Sequence, residues 1–256
     1  MYNKVFLEVD DRGMVYREMP GKNFALGLFD AGEINKNITS VNEIKVNLRN
    51  KKLVVLVHGE EVYVMSMTLP KVGRKNIYRI IEEEIENKFK KMNDIMFSYR
   101  IIRHFRHSLE IMVFCMNYDS RKLIEECHSA GFCVKGIVPV QFYIWETYRN
   151  KIKSESYIFI LMRNGILYFM VCHENKMVLN NVFENMKKSD FFYILRQFQM
   201  KLNVLLNNFR FQRIFFVDFP YTDIIEKLSD TYFCEDLSDG VKKDMKKEAL
   251  KYSDKR

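Results

Sequence analysis

The 256-residue chain has little of what interrupts regular structure: four Pro and ten Gly. That scarcity excludes collagen-like and linker-rich designs. Its five Cys, at 115, 127, 133, 172 and 234, form no Cys-x-x-Cys pair and are odd in number, and no secretory leader opens the sequence. The expectation is a reducing cytoplasm with free, mostly buried thiols. No run is long and apolar enough to cross a bilayer. Residues 157–172 come nearest, and Arg163-Asn164-Gly165 breaks them in the middle. A Gly-x-Ser-x-Gly elbow, a P-loop and a Cys/His signature are all missing, which removes the usual routes to nucleophilic catalysis. So are RNP aromatics and zinc-finger spacing, which removes the recognised nucleic-acid modules.

What remains is a globular chain, 48% hydrophobic and 14% aromatic, able to bury one large core or two small ones. The net charge of +8 is concentrated at residues 100–106, at Lys187-Lys188 and in the tail after Val241. It reads as a solvated basic surface. A nucleic-acid-binding protein is the rival reading, and steeply salt-dependent binding would mark it.

Periodicity divides the sequence into strands and helices. Residues 4–9 and 14–18 form a hairpin pattern around Asp10-Asp11-Arg12-Gly13. Residues 26–34 admit a further strand, and residues 38–47 a connection or short helix. Two apolar runs follow, residues 53–58 and 62–68, the second ending at Leu69-Pro70-Lys71. Next comes an acidic amphipathic helix over residues 76–92, with Ile77, Ile81, Ile85 and Phe89 four apart on one face. Residues 97–102 and 110–115 read as strands joined by a basic loop. A helix from Asp119 to Ala130, closed by Gly131, leads to a strand at 134–138 and a helix at 140–148. After the polar stretch 151–156, two strands flank Asn164-Gly165, the favoured type I′ turn pair. A third strand at 177–183, a long helix from Ser189 or Asp190 to about Asn207, a strand at 213–217, a short helix at 222–228 and a strand near Tyr232-Phe233 complete the pattern. Antiparallel triplets followed by helices recur in both halves, an α/β arrangement with two similar lobes.

The order of these pieces resembles the type IV pilus assembly protein PilM family, actin-like cytoplasmic adaptors. The resemblance spans residues 53–183. It rests on the strand ending in Leu69-Pro70, the acidic helix, the aromatic strand Phe97-Ser98-Tyr99, the Ala130-Gly131-Phe132 helix end and the strand-loop-helix Ile137-Val138-Pro139-Val140-Gln141-Phe142. It implies an actin-like (ribonuclease-H-like) two-lobed α/β fold with an α+β subdomain inserted in the first lobe. The implied organisation is a first lobe over residues 1–150 with the insert at about 68–117, a reduced second lobe over 151–237 and a charged tail from 238. It further implies a scaffold at the inner face of the cytoplasmic membrane that captures the N-terminal cytoplasmic peptide of a PilN-like membrane protein. The pilus assembly ATPases are further implied partners. Partner-binding positions are then expected on the insert, at Leu69, Pro70, Ile77, Ile81 and Ile85, although the isoleucine face also suits a core. A related adaptor of type II secretion is the neighbouring alternative.

Actin-like proteins hold nucleotide phosphates with two strand-turn-strand elements and approach the adenosine through a glycine pair. Here the first element, Glu8-Val-Asp-Asp-Arg-Gly13, keeps carboxylates, so Asp10, Asp11 and Gly13 are its degenerate cofactor-binding candidates; turn formation explains them equally. The second, Leu161-Met-Arg-Asn-Gly165, has no carboxylate, and residues 216–219 have no glycine pair. No ATP turnover and no required cofactor are therefore expected, with a nucleotide-dependent actin-like ATPase as the enzyme alternative. His104 and His107, flanked by Arg103 and Arg106, lack the third ligand that a metal needs and read as a solvated loop. The tail after residue 238 has no apolar periodicity. Its removal is expected to leave the melting temperature nearly unchanged in a thermal scan, and a large drop would mark it as a docked helix.

Overall fold

The computed structural model describes residues 3–10, 13–18, 37–38, 40–43, 51–89, 95–117, 121–206 and 211–238. The strand expected within residues 26–34 and the tail after residue 238 lie outside them.

In chain order the elements are β1 (Asn3–Asp10), β2 (Gly13–Glu18), β3 (Asn37–Ile38), β4 (Lys51–Val57) and β5 (Tyr63–Pro70). After these come α1 (Arg74–Phe89), β6 (Ile95–His104), β7 (Ser108–Asn117), α2 (Arg121–Ser129), β8 (Val134–Pro139) and α3 (Val140–Tyr148). The second half holds β9 (Tyr157–Arg163), β10 (Ile166–His173), β11 (Lys176–Phe183), α4 (Phe191–Leu205), β12 (Arg213–Val217), α5 (Thr222–Ser229) and β13 (Phe233–Asp236).

Turn chemistry fixes the hairpins. Asn164 (φ 52°) and Gly165 (φ 78°) both take the left-handed backbone that a type I′ turn needs between β9 and β10. The β10–β11 turn forces Glu174 (φ 50°) and Asn175 (φ 62°) into the same region. There the Glu174 N–H donates to Ser156 Oγ at 3.2 Å and the Asn175 N–H to the Glu155 carbonyl at 2.8 Å, which offsets the strain.

Two five-stranded sheets repeat one topology. The orders are β3-β2-β1-β4-β8 and β11-β10-β9-β12-β13. In each, the first three listed strands are antiparallel neighbours, and the fourth pairs parallel with both the third and the fifth. The duplication expected of an actin-like chain is therefore present strand for strand.

Helices cover the sheets according to their apolar faces. In α2, Cys127 packs with Phe132 against Leu7, Leu53 and Val55 on the outer face of the first sheet. In α3 the side chains divide. Tyr143 packs on Phe6 of the first sheet, with rings 5.3 Å apart, while Ile144, Trp145 and Tyr148 pack against Phe159, Tyr168 and Phe215 of the second. α3 is thus the layer shared by both lobes. α4 and α5 close the outer face of the second sheet. Burial holds the thiols of Cys115, Cys127 and Cys172 up to about 11, so they are inert at neutral pH; Cys133 is exposed.

Between β4 and α2 the chain makes a separate three-stranded antiparallel sheet, β5-β7-β6, covered by α1. All of β5 pairs with β7, from Tyr63↔Cys115 to Pro70↔Ser108. The insert's sheet therefore starts at Tyr63 and not at about residue 68. Pro70 is tolerated because it ends an edge strand.

Phe169 on β10 is fully buried, stacked on Phe198 of α4 at 4.8 Å and edge-on to Phe183 at 5.7 Å. Phe169→Ala is expected to cost about 3–5 kcal/mol through lost burial and a residual cavity, read as a lowered urea midpoint.

Candidate functional site

The parallel strands β1, β4 and β12 end on the same side as the β9–β10 turn, where an actin-like protein would bind nucleotide. Here the chain's own charges meet. Glu8 on β1 is only 4% exposed. Its Oε1 accepts from Arg163 Nε at 2.8 Å and lies 2.7 Å from His58 Nε2, and its Oε2 accepts from an Arg163 terminal nitrogen at 3.2 Å. Arg163, the last residue of β9, also lies 3.6 Å from the Asp218 carboxylate just beyond β12. With His58 Nε2 donating to Glu8, Nδ1 accepts from the Tyr168 hydroxyl at 3.4 Å, and that hydroxyl accepts from the Gly59 N–H at 3.1 Å. Burial disfavours the charged guanidinium, but the hydrogen bonds and charge of Glu8, with the charge of Asp218, more than offset it and raise the Arg163 pKa above its ordinary value.

Backbone geometry holds the cluster together. Gly59 takes the left-handed φ of +75°, which side-chain-bearing residues rarely adopt, and a Cβ there would stand 2.9 Å from Glu184 Oε1 of the second lobe. Asp218 has φ 52°, and its N–H donates to Ser238 Oγ at 2.8 Å.

At this point Glu8 and Arg163 match a carboxylate with a guanidinium within the chain itself. Among the described residues no three His, Cys, Asp or Glu side chains converge as a metal site. Of the sequence candidates, Gly13 opens β2 and pairs with Asp10 at the end of β1. The Asp10 side chain and all of Asp11 lie outside the described residues.

The expected partner-binding residues are placed differently from the reading that put them on a binding surface. Leu69, Ile77, Ile81 and Ile85 are buried in the insert's own core, packed on Leu109, Ile111 and Val113. Their four-residue spacing is the signature of the face that covers the three-stranded sheet, so in this conformation they cannot face a partner. Pro70 alone of the five is exposed.

The open apolar surface lies on the other side of the insert. A cleft of about 500 Å³ runs between the insert and the first lobe. Four residues of β6 line one wall (Met96, Phe97, Ser98 and Arg100), and the whole of β8 lines the other. Consecutive residues of both strands reach the cleft, as happens when a strand presents its edge. Each is the outermost strand of its sheet among the described residues. Phe114, Phe142 and Trp145 form the apolar floor, and the Arg100–Glu146 pair, 3.3 Å apart, spans from insert to α3. Two unpaired strand edges flanking an apolar trough can accept an extended peptide by adding it as a strand. Neither strand carried a distinguishing sequence signal, because edge and central strands share one hydrophobic pattern.

The duplicated sheets and the shared helix layer form the architecture of an actin-like fold. No family model and no curated protein matches the sequence. Among solved structures, the chain is similar to one of a PilM-PilN type IV pilus biogenesis complex, with a TM-score of 0.62 and 10% identity over 92% of this chain and 88% of that one. It is also similar to a protein of unknown function with an actin-like ATPase fold from Bacteroides thetaiotaomicron, with a TM-score of 0.54 and 10% identity over 92% and 90% of the two chains. The protein has the two-lobed actin-like fold.

Removing Arg163 leaves a buried carboxylate short of its main counter-charge. Arg163→Ala is expected to cost about 3–5 kcal/mol in urea denaturation. The double change Glu8→Leu with Arg163→Met should recover most of that loss, because it removes both charges at similar volume.

Proposed function

We propose that this protein is a non-catalytic adaptor of a type IV pilus machine, and that the cleft between β6 and β8 takes an extended apolar segment of a PilN-like membrane partner. The observation that carries the reading is the cleft itself: about 500 Å³, floored by aromatic side chains and walled by two strands that are outermost in their sheets among the described residues. The similarity to a chain of a PilM-PilN complex over nearly its whole length supports the choice of partner. On this reading β8 and β6 supply backbone donors and acceptors, and Phe97, Phe114 and Phe142 supply apolar contacts. The adaptor would sit in the cytoplasm and be brought to the membrane by its partners.

The same reading makes the protein a pseudo-ATPase. What supports it is the Glu8–Arg163 pair, a contact between the lobes made by the chain's own side chains.

Gly136 gives the test. It lines the cleft, and a Cβ built on it meets nothing within 4 Å. Gly136→Leu should therefore enter the cleft without disturbing the core. Calorimetric titration with a synthetic peptide of a PilN-like cytoplasmic N-terminus is expected to show binding that weakens at least about tenfold in this variant. The melting temperature should hold within about 2 °C. Unchanged affinity would remove the cleft from the proposal. Titration with ATP and Mg²⁺ should give no saturable signal. Micromolar affinity that vanishes in Asp11→Ala would restore the nucleotide-dependent alternative.

A further inference from the structure

α4 buries Phe191, Leu195, Phe198 and Leu202 against the second sheet, as its helical period requires. Its opposite face carries large apolar side chains, with the exposed amides of Gln197 and Asn203 among them. Tyr193 is 68% exposed, Met200 56% and Val204 82%, in a stripe along the outer side of the helix, with Phe192 and Leu205 exposed beside it. A solvated helix of this kind normally turns charged residues outward. The only charges on α4 are Arg196 and Lys201, both exposed, and the fifteen residues include no Asp or Glu.

That combination narrows what can cover the face. A two-fold pairing of α4 with α4 from a second copy would bring four cations together with no carboxylate on either helix. The acidic face of α1 supplies negative charge but little apolar surface: Glu82, Glu83, Glu84 and Glu86 are exposed there, and its isoleucines are buried. Nucleic acid would offer charge, but Met200, Val204 and Leu205 cannot stack on bases as aromatics do. An anionic bilayer supplies both requirements, an apolar interior for the stripe and a negative surface for the two cations, whose long stems let the charges stay at headgroup level.

We propose that the outer face of α4 is a peripheral membrane-docking surface for anionic phospholipid. Tyr193, Met200 and Val204 insert at the acyl boundary, and Arg196 and Lys201 pair with headgroup phosphates. The surface lies on the second lobe and does not depend on the peptide cleft, so it stands or falls separately from the adaptor reading.

Flotation of the full chain with vesicles tests it. Vesicles of phosphatidylcholine with about 30% phosphatidylglycerol are expected to carry the protein upward at low salt, and recovery should fall as salt screens the surface. Pure phosphatidylcholine vesicles should carry far less. Arg196→Gln with Lys201→Gln should lower the partition coefficient about thirtyfold, since each cation near an anionic surface contributes about a factor of five. Met200→Asp with Val204→Asp should abolish flotation while the melting temperature stays unchanged, because both side chains are in solvent. The proposal is overturned if the wild type fails to float, if it floats equally on pure phosphatidylcholine, or if the aspartate variant floats as the wild type does. A concentration-dependent dimer in light scattering that the aspartate variant removes would also overturn it, by assigning the face to a second copy.

Discussion

Glu8 stands on a central strand beside Phe6 and Leu7, where an ionised carboxylate without partners would cost several kcal/mol. Arg163 and His58 answer that demand from two directions, and Arg163 comes from the other lobe. The pairing dictates more than local charge balance. It fixes how far apart β1 and β9 end, and with the Gly59–Tyr168 contact it sets the separation of the lobes. The side chains of Glu8, His58 and Arg163 thus link the two lobes directly. A buried ion pair is seldom the cheapest way to gain stability. Its value here lies in geometry: two charges that can satisfy each other in only one arrangement of the lobes.

The insert shows a different use of edges. β5 and β6 are the outer strands of its sheet, and unpaired edges invite association. Pro70 ends β5, the Asn181–Glu61 hydrogen bond links the chain just before β5 to β11, and the Lys176–Glu110 ion pair links the central strand β7 to β11. β6 borders the apolar cleft instead, opposite β8, and both are the outermost strands of their sheets among the described residues.

Much of this architecture could be read from the residues. Asn164-Gly165 specified its turn, the isoleucines of α1 their common face, and the recurring strand triplets the duplication. What could not be read was which side of each element meets which neighbour. The spacing of Ile77, Ile81 and Ile85 identifies an apolar face without saying whether a partner or the insert's own sheet covers it; the sheet does. The lobe cluster left a fainter trace. Glu8, His58 and Arg163 each interrupt or end an apolar strand run, and three such interruptions in strands of one sheet type would have suggested mutual pairing. The β6–β8 cleft left none, because whether a strand lies at an edge depends on sheet order, which residue pattern does not encode.

α3 is the layer that both halves of the molecule share, and its Trp145 is the only tryptophan in the chain. Its indole N–H donates to Tyr157 Oη at 3.0 Å at the boundary with the second lobe, while its ring forms part of the cleft floor beside β6. One chromophore therefore borders two compartments. Its emission is expected to respond to occupation of the trough, and its hydrogen bond to Tyr157 to a shift of the second lobe. The molecule carries an intrinsic optical gauge, at the one position where a ligand in the first lobe and a movement of the second would be read on the same dial.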